Sequence, residues 1–150
     1  MTVGDEVPDF SAETDQGAFS LAAHRGRKVV IYFYPKDQTP GCITESCGFR
    51  DLKAELEAAG ALIVGVSKDS LKSHANFVAK QSLNFPLISD PELVVHGVFG
   101  AWVEKNYGKT YMGTERCTFL IDAEGVLAQE WRKVRVKGHV DAVLEAARAL

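Results

Sequence analysis

The stretch VVIYFYPKDQTPGC, residues 29–42, predicts a buried strand followed by the start of a helix. Its first six residues form an unbroken run of apolar, β-branched and aromatic side chains, which is typical of a strand covered on both faces. Pro35 ends that run. Thr39 suits the N-cap of a helix and Pro40 its first position, where the missing N–H costs no hydrogen bond. We therefore expect a buried strand to lead into a helix that carries Cys42 in its first turn.

The rest of the chain alternates segments of strand and helix character. A helix is expected over residues 40–59, with Gly60 at its C-terminal stop. The further expected elements are a strand at 61–66, a helix from Asp69 or Ser70 to Gln81, a short strand at 85–90, a helical turn from Pro91, a hairpin of strands 116–122 and 126–134, and a closing helix at 137–150. This order predicts the α/β class, with a central mixed β-sheet flanked by helices, preceded by an N-terminal hairpin within residues 10–21. The length predicts one domain, residues 1–150.

Composition excludes several classes of function. The net charge is −3 and no basic run occurs, so neither nucleic acid nor an anionic membrane is expected as a partner. No apolar run approaches the roughly 20 residues that a spanning helix needs. The acidic N-terminus lacks the apolar core of a secretory signal, which predicts a cytoplasmic protein. In that reducing compartment, three cysteines favour catalytic, redox or metal-binding roles over structural disulfides.

Two of the three cysteines lie on the helix expected over residues 40–59. Its apolar stripe should face the sheet and consists of Phe49, Leu52, Leu56 and Ala59. Helical spacing places Cys42 near that stripe and points Cys47 outward. Five helical residues separate their Cα atoms by more than ~8 Å, beyond the ~7 Å limit for a disulfide. A Cys42–Cys47 bond therefore requires the first turns to unwind, which Gly41 and Gly48 would ease.

The position of Cys42 also has a chemical consequence. Free backbone amides and the helix dipole stabilise an anion in the first turn of a helix. The thiolate of Cys42, which is the nucleophilic form of cysteine, should therefore be favoured.

At this point the sequence resembles a known family. Residues 35–42, PKDQTPGC, match the P-x-x-x-T-x-x-C active-site motif of peroxiredoxins, and with Glu45 and Cys47 they resemble the PrxQ or bacterioferritin comigratory protein subfamily. VGDEVPDF near the N-terminus, VVIYFYP before the motif and ERCTFLID near residue 120 are also similar to segments of that family.

The resemblance implies a thioredoxin-like fold and a thiol-dependent peroxidase that reduces hydrogen peroxide and organic hydroperoxides. Cys42 matches the peroxidatic cysteine, which becomes a sulfenic acid, and Cys47 matches the resolving cysteine of many members, which forms an intramolecular disulfide with it. Thr39 and Pro35 match the other motif positions, and Arg116 matches the active-site arginine. The family further implies reduction by thioredoxin or a similar dithiol, a monomer, and no cofactor or metal.

The chemistry itself calls for hydrogen-bond donors around the sulfur. Because enzymes commonly lower barriers by about 8 kcal/mol or more, a thiolate alone is not enough, and donors must hold the peroxide and stabilise the developing charge. The candidates are Arg116, the Thr39 hydroxyl and the backbone N–H groups of Gly41 and Cys42. Pro35 is expected to shield the pocket from water. Arg116 is alternatively a simple salt-bridge partner of Glu45, and Glu45 alternatively caps the helix, orients Arg116 or is solvated.

Other residues are expected to matter less. Cys117 alternates with apolar residues along one strand and is expected to be an inert core thiol. The histidines lack the spacing of metal ligands; they are His24, His74, His96 and His139. The tryptophans are expected to serve core packing, although Trp102 lies in a segment that is expected to border the active-site pocket. The basic residues within 132–137 are expected to form a solvated face.

Two other functions are weighed against peroxide reduction. A thiol–disulfide oxidoreductase on the same fold would place C-x-x-C at the helix start, whereas the spacing here is C-x-x-x-x-C. A non-enzymatic metal-binding or thiol-sensor module would use Cys42, Cys47 and a histidine, but zinc sites prefer paired ligand elements that this chain lacks.

Overall fold

The computed structural model describes residues 1–106 and 108–150. Its main element is a mixed seven-stranded β-sheet. The strands along the chain are β1 (Ser11–Thr14), β2 (Gly17–Ser20), β3 (Lys28–Phe33), β4 (Ala61–Ser67), β5 (Leu87–Ser89), β6 (Trp102–Asn106), β7 (Thr110–Thr114), β8 (Cys117–Ile121) and β9 (Leu127–Trp131). The helices are α1 (Pro40–Asp51), α2 (Lys53–Ala58), α3 (Leu71–Gln81), α4 (Val94–Phe99) and α5 (His139–Ala149), and a 3₁₀ turn spans Ala22–His24.

The strand order in the large sheet is β2-β1-β5-β4-β3-β8-β9. The central strand β3 pairs in parallel with β4 and antiparallel with β8. The expected α/β class, mixed sheet and N-terminal hairpin are confirmed. The pairing of Phe33 with Cys117 brings the start of β8 beside the end of β3, where α1 is about to begin.

The two faces of the sheet bury separate apolar clusters, as the run in β3 predicts. Val29, Ile31 and Phe33 belong to one cluster, which α4 and the N-terminal segment cover. Val30 and Tyr32 belong to the other, which α1, α2, α3 and α5 cover. Helices on both faces hold the ends of β3 and β4 in place, and the loops after these strands build the site.

The prediction of a single helix over residues 40–59 is wrong. The chain forms α1 and α2, separated at Leu52, whose φ of −100° and ψ of 8° leave the helical range. No proline or glycine marks this break, because tertiary packing imposes it: Phe49 on α1 and Leu56 on α2 are both fully buried in the same cluster. Gly60 ends α2 with a φ of +82°, as expected for a C-terminal stop.

Two further differences concern residues 91–114. The helical turn expected from Pro91 begins later, at Val94, because Leu93 has a left-handed φ of +64°. The antiparallel β6–β7 hairpin has no counterpart among the expected elements. Its strands are rich in polar residues and largely exposed, so they lack the apolar run that marks a core strand.

None of the described helices combines the length and the apolar character needed to cross a membrane.

Gly65 in β4 tests how tightly the sheet packs under α1. An added Cβ would lie 2.8 Å from Leu87 Cδ2 and 2.9 Å from the Tyr32 hydroxyl oxygen. We expect Gly65→Ala to lower the free energy of unfolding by about 1–3 kcal/mol through overpacking, as measured by urea denaturation. The matched control is Gly97→Ala on α4, whose Cβ would meet no described atom within 4 Å and which should gain up to about 1 kcal/mol of helix propensity. Equal stability of the two variants would contradict the prediction.

Candidate active site

Cys42 lies in the first turn of α1, as its sequence position predicts, and its side chain is fully buried. Thr39 occupies the N-cap position with an extended backbone and Pro40 is the first helical residue, as expected. The Thr39 hydroxyl, however, donates to the carbonyl oxygen of Lys36 at 2.8 Å and does not accept a hydrogen bond from a helix amide. The Thr39 side chain therefore leaves the N–H groups at the start of α1 uncapped, and such groups favour a nearby anion.

Arg116, the residue before β8, connects the sulfur to a buried carboxylate. Its Nη2 donates to Cys42 Sγ at 3.3 Å and its Nη1 donates to Glu45 Oε1 at 2.8 Å. Burial opposes the guanidinium charge, but the nearby Glu45 and Cys42 outweigh it and raise the pKa of Arg116. Both interactions weighed from the sequence are present, because one guanidinium serves the sulfur and Glu45 together.

Gly41 has a packing reason for lacking a side chain. A Cβ at this position would lie 3.2 Å from Arg116 Nη2, so the guanidinium approaches the helix start closely and a larger residue would require it to shift. Gly48, also expected to ease unwinding, similarly allows close contact with α5, since its Cβ would lie 3.0 Å from Val140 Cγ2.

Glu45 is fully buried one helical turn after Cys42. Burial raises the pKa of Glu45 to about 7, although Arg116 opposes the rise. Its Oε2 has no hydrogen-bond partner among the described residues and lies 3.9 Å from His139 Nε2. Burial, with the charge of Arg116, lowers the pKa of His139 to about 4. His139 is therefore neutral at pH 7, and its Nε2 hydrogen bonds with Thr118 Oγ1 at 2.8 Å.

A cavity of about 570 Å³ opens beside this group. Pro35 and Arg116 line it, as do residues 103–106 of β6 and residues 133–135. The expected solvated basic face thus contributes Lys133 and Arg135 to the mouth of the cavity, and β6, which includes Trp102, runs along it.

The other two cysteines differ in environment. Cys47 is half-buried on α1 rather than fully outward, and its thiol donates to Gln81 Oε1 on α3 at 3.6 Å. Cys117 is fully buried, donates to the Glu115 carbonyl oxygen at 3.3 Å, and has its pKa raised by burial. All three thiols are free in the described structure. The environment of Cys117 agrees with the inert thiol expected from the sequence.

Sequence reasoning missed a polar network under the active-site loop. Asp37, Asp69 and His74 have ligand-type atoms within 4.8 Å of one another, a grouping that also resembles a metal site. Those atoms are already hydrogen-bonded within the protein: His74 to Asp37 and Ile88, and Asp69 to Ser67. One signal of this network is visible in the sequence, since Asp37 lies inside the motif between Pro35 and Thr39.

Comparison with known proteins decides the family. The AhpC/TSA family profile matches residues 3–130. The chain belongs to the AhpC/TSA family. It is 50% identical over 146 residues to the putative peroxiredoxin bcp of Coxiella burnetii, covering 96% of this chain and 97% of that one. It is 46% identical over 150 residues to peroxiredoxin Bcp of Bacillus subtilis, covering 99% and 96%.

A solved structure extends the likeness to the whole fold. The bacterioferritin comigratory protein of Xanthomonas campestris superposes with a TM-score of 0.93 at 49% identity, covering 99% of this chain and 98% of that one. That structure concerns alkyl peroxide reduction and a trapped intermediate/ligand complex. The resemblance to the PrxQ and bacterioferritin comigratory protein subfamily is confirmed, and with it the thioredoxin-like fold and the class of thiol-dependent peroxidases. The rival thiol–disulfide oxidoreductase has less support.

The titration of Glu45 gives the site a specific pH dependence. The folded protein keeps the Glu45 proton up to a pKa of about 7, whereas the ordinary value is 4.5. Between these values the folded state binds more protons than the unfolded state, so rising pH destabilises it. Relative to wild type, Glu45→Gln should therefore gain about 3 kcal/mol of unfolding free energy across this window.

The measurement is urea denaturation of both proteins between about pH 5 and about pH 8. The control, Glu55→Gln, changes an exposed carboxylate on α2 and should show a difference from wild type that stays flat with pH. A flat difference for Glu45→Gln as well would contradict the raised pKa.

Proposed function

We propose that Cys42 is the peroxidatic cysteine of this chain and that it attacks peroxides entering through the cavity beside Pro35 and Arg116. The observation that carries the proposal is the hydrogen bond from Arg116 to a buried sulfur in the first turn of a helix. A positive guanidinium and free amides both favour the thiolate. The proposal takes residues 1–150 as one catalytic domain, because Cys42 and Glu45 on α1 meet Arg116 from a distant part of the chain in one site.

The first step is a displacement at oxygen. The Cys42 thiolate attacks the terminal oxygen of the hydroperoxide, an S–O bond forms and the O–O bond breaks. The other oxygen leaves as hydroxide or alkoxide and takes up a proton from water, and Cys42 becomes a sulfenic acid. Arg116 and the amides of Gly41 and Cys42 stabilise the charge that develops on the oxygens, an effect worth about 3–4 kcal/mol per donor in enzymes.

The cavity supports a broader substrate range than hydrogen peroxide. At about 570 Å³ it has room for organic hydroperoxides, and the Xanthomonas relative is described in connection with alkyl peroxide reduction. Pro35 lines the cavity, and the Thr39 hydroxyl holds the loop before α1 by donating to the carbonyl oxygen of Lys36.

We propose Cys47 as the resolving cysteine. The Cys47 thiol releases its proton and its sulfur attacks the sulfenic sulfur: an S–S bond forms, the S–O bond breaks, and the departing hydroxide takes up a proton to become water. Thioredoxin or a similar dithiol then reduces the disulfide. The helical spacing of the two cysteines requires α1 to unwind first, which breaks the contact of Cys47 with Gln81. We further propose that the protein works as a monomer in the cytoplasm, where thiols are kept reduced.

Substitution of the cysteines tests this cycle directly. In an assay of peroxide consumption with a thioredoxin system, Cys42→Ser should lose all activity. Cys47→Ser should consume one equivalent of peroxide and then stall. Cys117→Ser, which alters the third thiol, is the control and should match wild type. Mass spectrometry after one equivalent of peroxide should show a Cys42–Cys47 linkage, and an oxidised monomer without that linkage would refute the resolving role of Cys47.

Arg116→Lys tests the shared guanidinium. One ammonium group cannot reproduce the forked geometry that reaches both Cys42 and Glu45. We expect the rate constant of Cys42 oxidation to fall about 100-fold, the usual effect of removing a charge-stabilising donor. Arg148→Lys at the exposed end of α5 is the matched control and should leave this rate constant unchanged. A rate within about twofold of wild type for Arg116→Lys would show that the arginine has only a structural part.

A further inference from the structure

The loop between β3 and α1, residues 34–39, holds an unfavourable backbone conformation. Gln38 has a φ of +66°, in the left-handed region that residues with side chains rarely adopt. Its own side chain does not explain this geometry, since Gln38 Oε1 is buried without a hydrogen-bond partner among the described residues. Such strain persists only where the surroundings impose it. The surroundings of the preceding residue, Asp37, supply that constraint.

Asp37 is buried and receives hydrogen bonds from two directions. Its Oδ1 accepts from the Tyr34 hydroxyl at 2.6 Å. Its Oδ2 accepts from Ser73 Oγ at 2.8 Å and faces His74 Nδ1 at 2.7 Å, both on α3. Its backbone N–H donates to Asp69 Oδ2 at 2.9 Å. The residue before the strained position is therefore fixed to α3 and to the loop that follows β4.

His74 anchors this arrangement to the sheet. It is fully buried, and its Nε2 lies 2.8 Å from the carbonyl oxygen of Ile88 in β5. A carbonyl oxygen only accepts, so Nε2 carries a hydrogen, while Nδ1 faces a carboxylate and also acts as donor. Burial opposes a charged ring, but the hydrogen bond and charge of Asp37 outweigh it and raise the pKa of His74. An imidazolium between Asp37 and the backbone of β5 satisfies every contact.

We propose that His74, acting through Asp37, is a positioning residue for the peroxidatic loop. The pair holds Gln38 in its left-handed conformation, and that conformation directs the chain so that Thr39 starts α1 with Cys42 against Arg116. This inference rests on the proposed function of Cys42. It assigns a role in the reaction to a histidine that makes no contact with the sulfur.

Two substitutions at one position separate positioning from fold stability. In the variant His74→Asn, the side-chain amide lies where the imidazole Nδ1 lies in wild type. This variant therefore still donates to Asp37 but loses the hydrogen bond to the carbonyl oxygen of Ile88. In the variant His74→Gln, the side-chain amide lies where the imidazole Nε2 lies in wild type. This variant therefore keeps the hydrogen bond to Ile88 and loses the one to Asp37. We expect the second-order rate constant for Cys42 oxidation by hydrogen peroxide, in single turnover, to fall about tenfold or more in His74→Gln and less than about threefold in His74→Asn.

Relief of the backbone strain provides a second readout that a purely structural role would not move. Glycine adopts a left-handed φ without penalty, so Gln38→Gly should recover most of the lost rate in the His74→Gln background. If His74→Gln fails to fold, Ser73→Ala removes a single donor from the same carboxylate oxygen and should show a loss of about threefold with the same rescue.

The outcomes are distinguishable from failure of the proposed function. If wild type does not form a sulfenic acid at Cys42, the proposed function fails. If wild type reacts and His74→Gln keeps its rate, or His74→Asn loses as much as His74→Gln, or Gln38→Gly gives no rescue, the positioning role of His74 is overturned.

Discussion

The site depends on one guanidinium that is shared between a sulfur and a buried carboxylate. Arg116 reaches Cys42 at 3.3 Å and Glu45 at 2.8 Å, and both partners lie on α1, about one turn apart. A cation in this half-buried place is stable only with anionic partners. The fold supplies them because β8 runs antiparallel to β3, so the residue before β8 meets the helix that follows β3. The pairing of two strands therefore sets the electrostatics of the sulfur.

A second buried pair joins a histidine to a carboxylate. His74 contacts Asp37 in the loop before α1, whereas Arg116 contacts Glu45 within α1. Burying charges costs several kcal/mol per ion unless geometry and hydrogen bonds offset it, so such pairs are weak sources of stability. In the proposed site, the two pairs instead define the place of Cys42 through their hydrogen-bond geometry. Gln38, with its strained backbone, directly follows Asp37 in the sequence.

The sequence predicts those parts of the fold and of the site that depend on neighbouring residues in the chain. The apolar run of β3, the helix start at Pro40 and the first-turn position of Cys42 follow from strand burial and helix capping, and the family motif identifies Arg116. The break at Leu52 and the β6–β7 hairpin follow from tertiary packing and strand pairing that leave no local signature. The burial of His74 could not be predicted either, because a histidine among the polar residues of a helix is expected to face solvent unless its distant partner Asp37 is known.

The position of Glu45 links the chemistry of oxidation to the unwinding of α1. Glu45 lies between Cys42 and Cys47 in the sequence, so in the proposed cycle a disulfide between them also draws Glu45 away from Arg116. The lost ion pair opposes unwinding and favours the folded helix while Cys42 is reduced. Exposure of Glu45 to water offsets part of that cost, because burial raises its pKa to about 7 and solvent removes this penalty. In the proposed cycle, the carboxylate that pairs with Arg116 thus removes part of the cost of releasing the helix after Cys42 is oxidised.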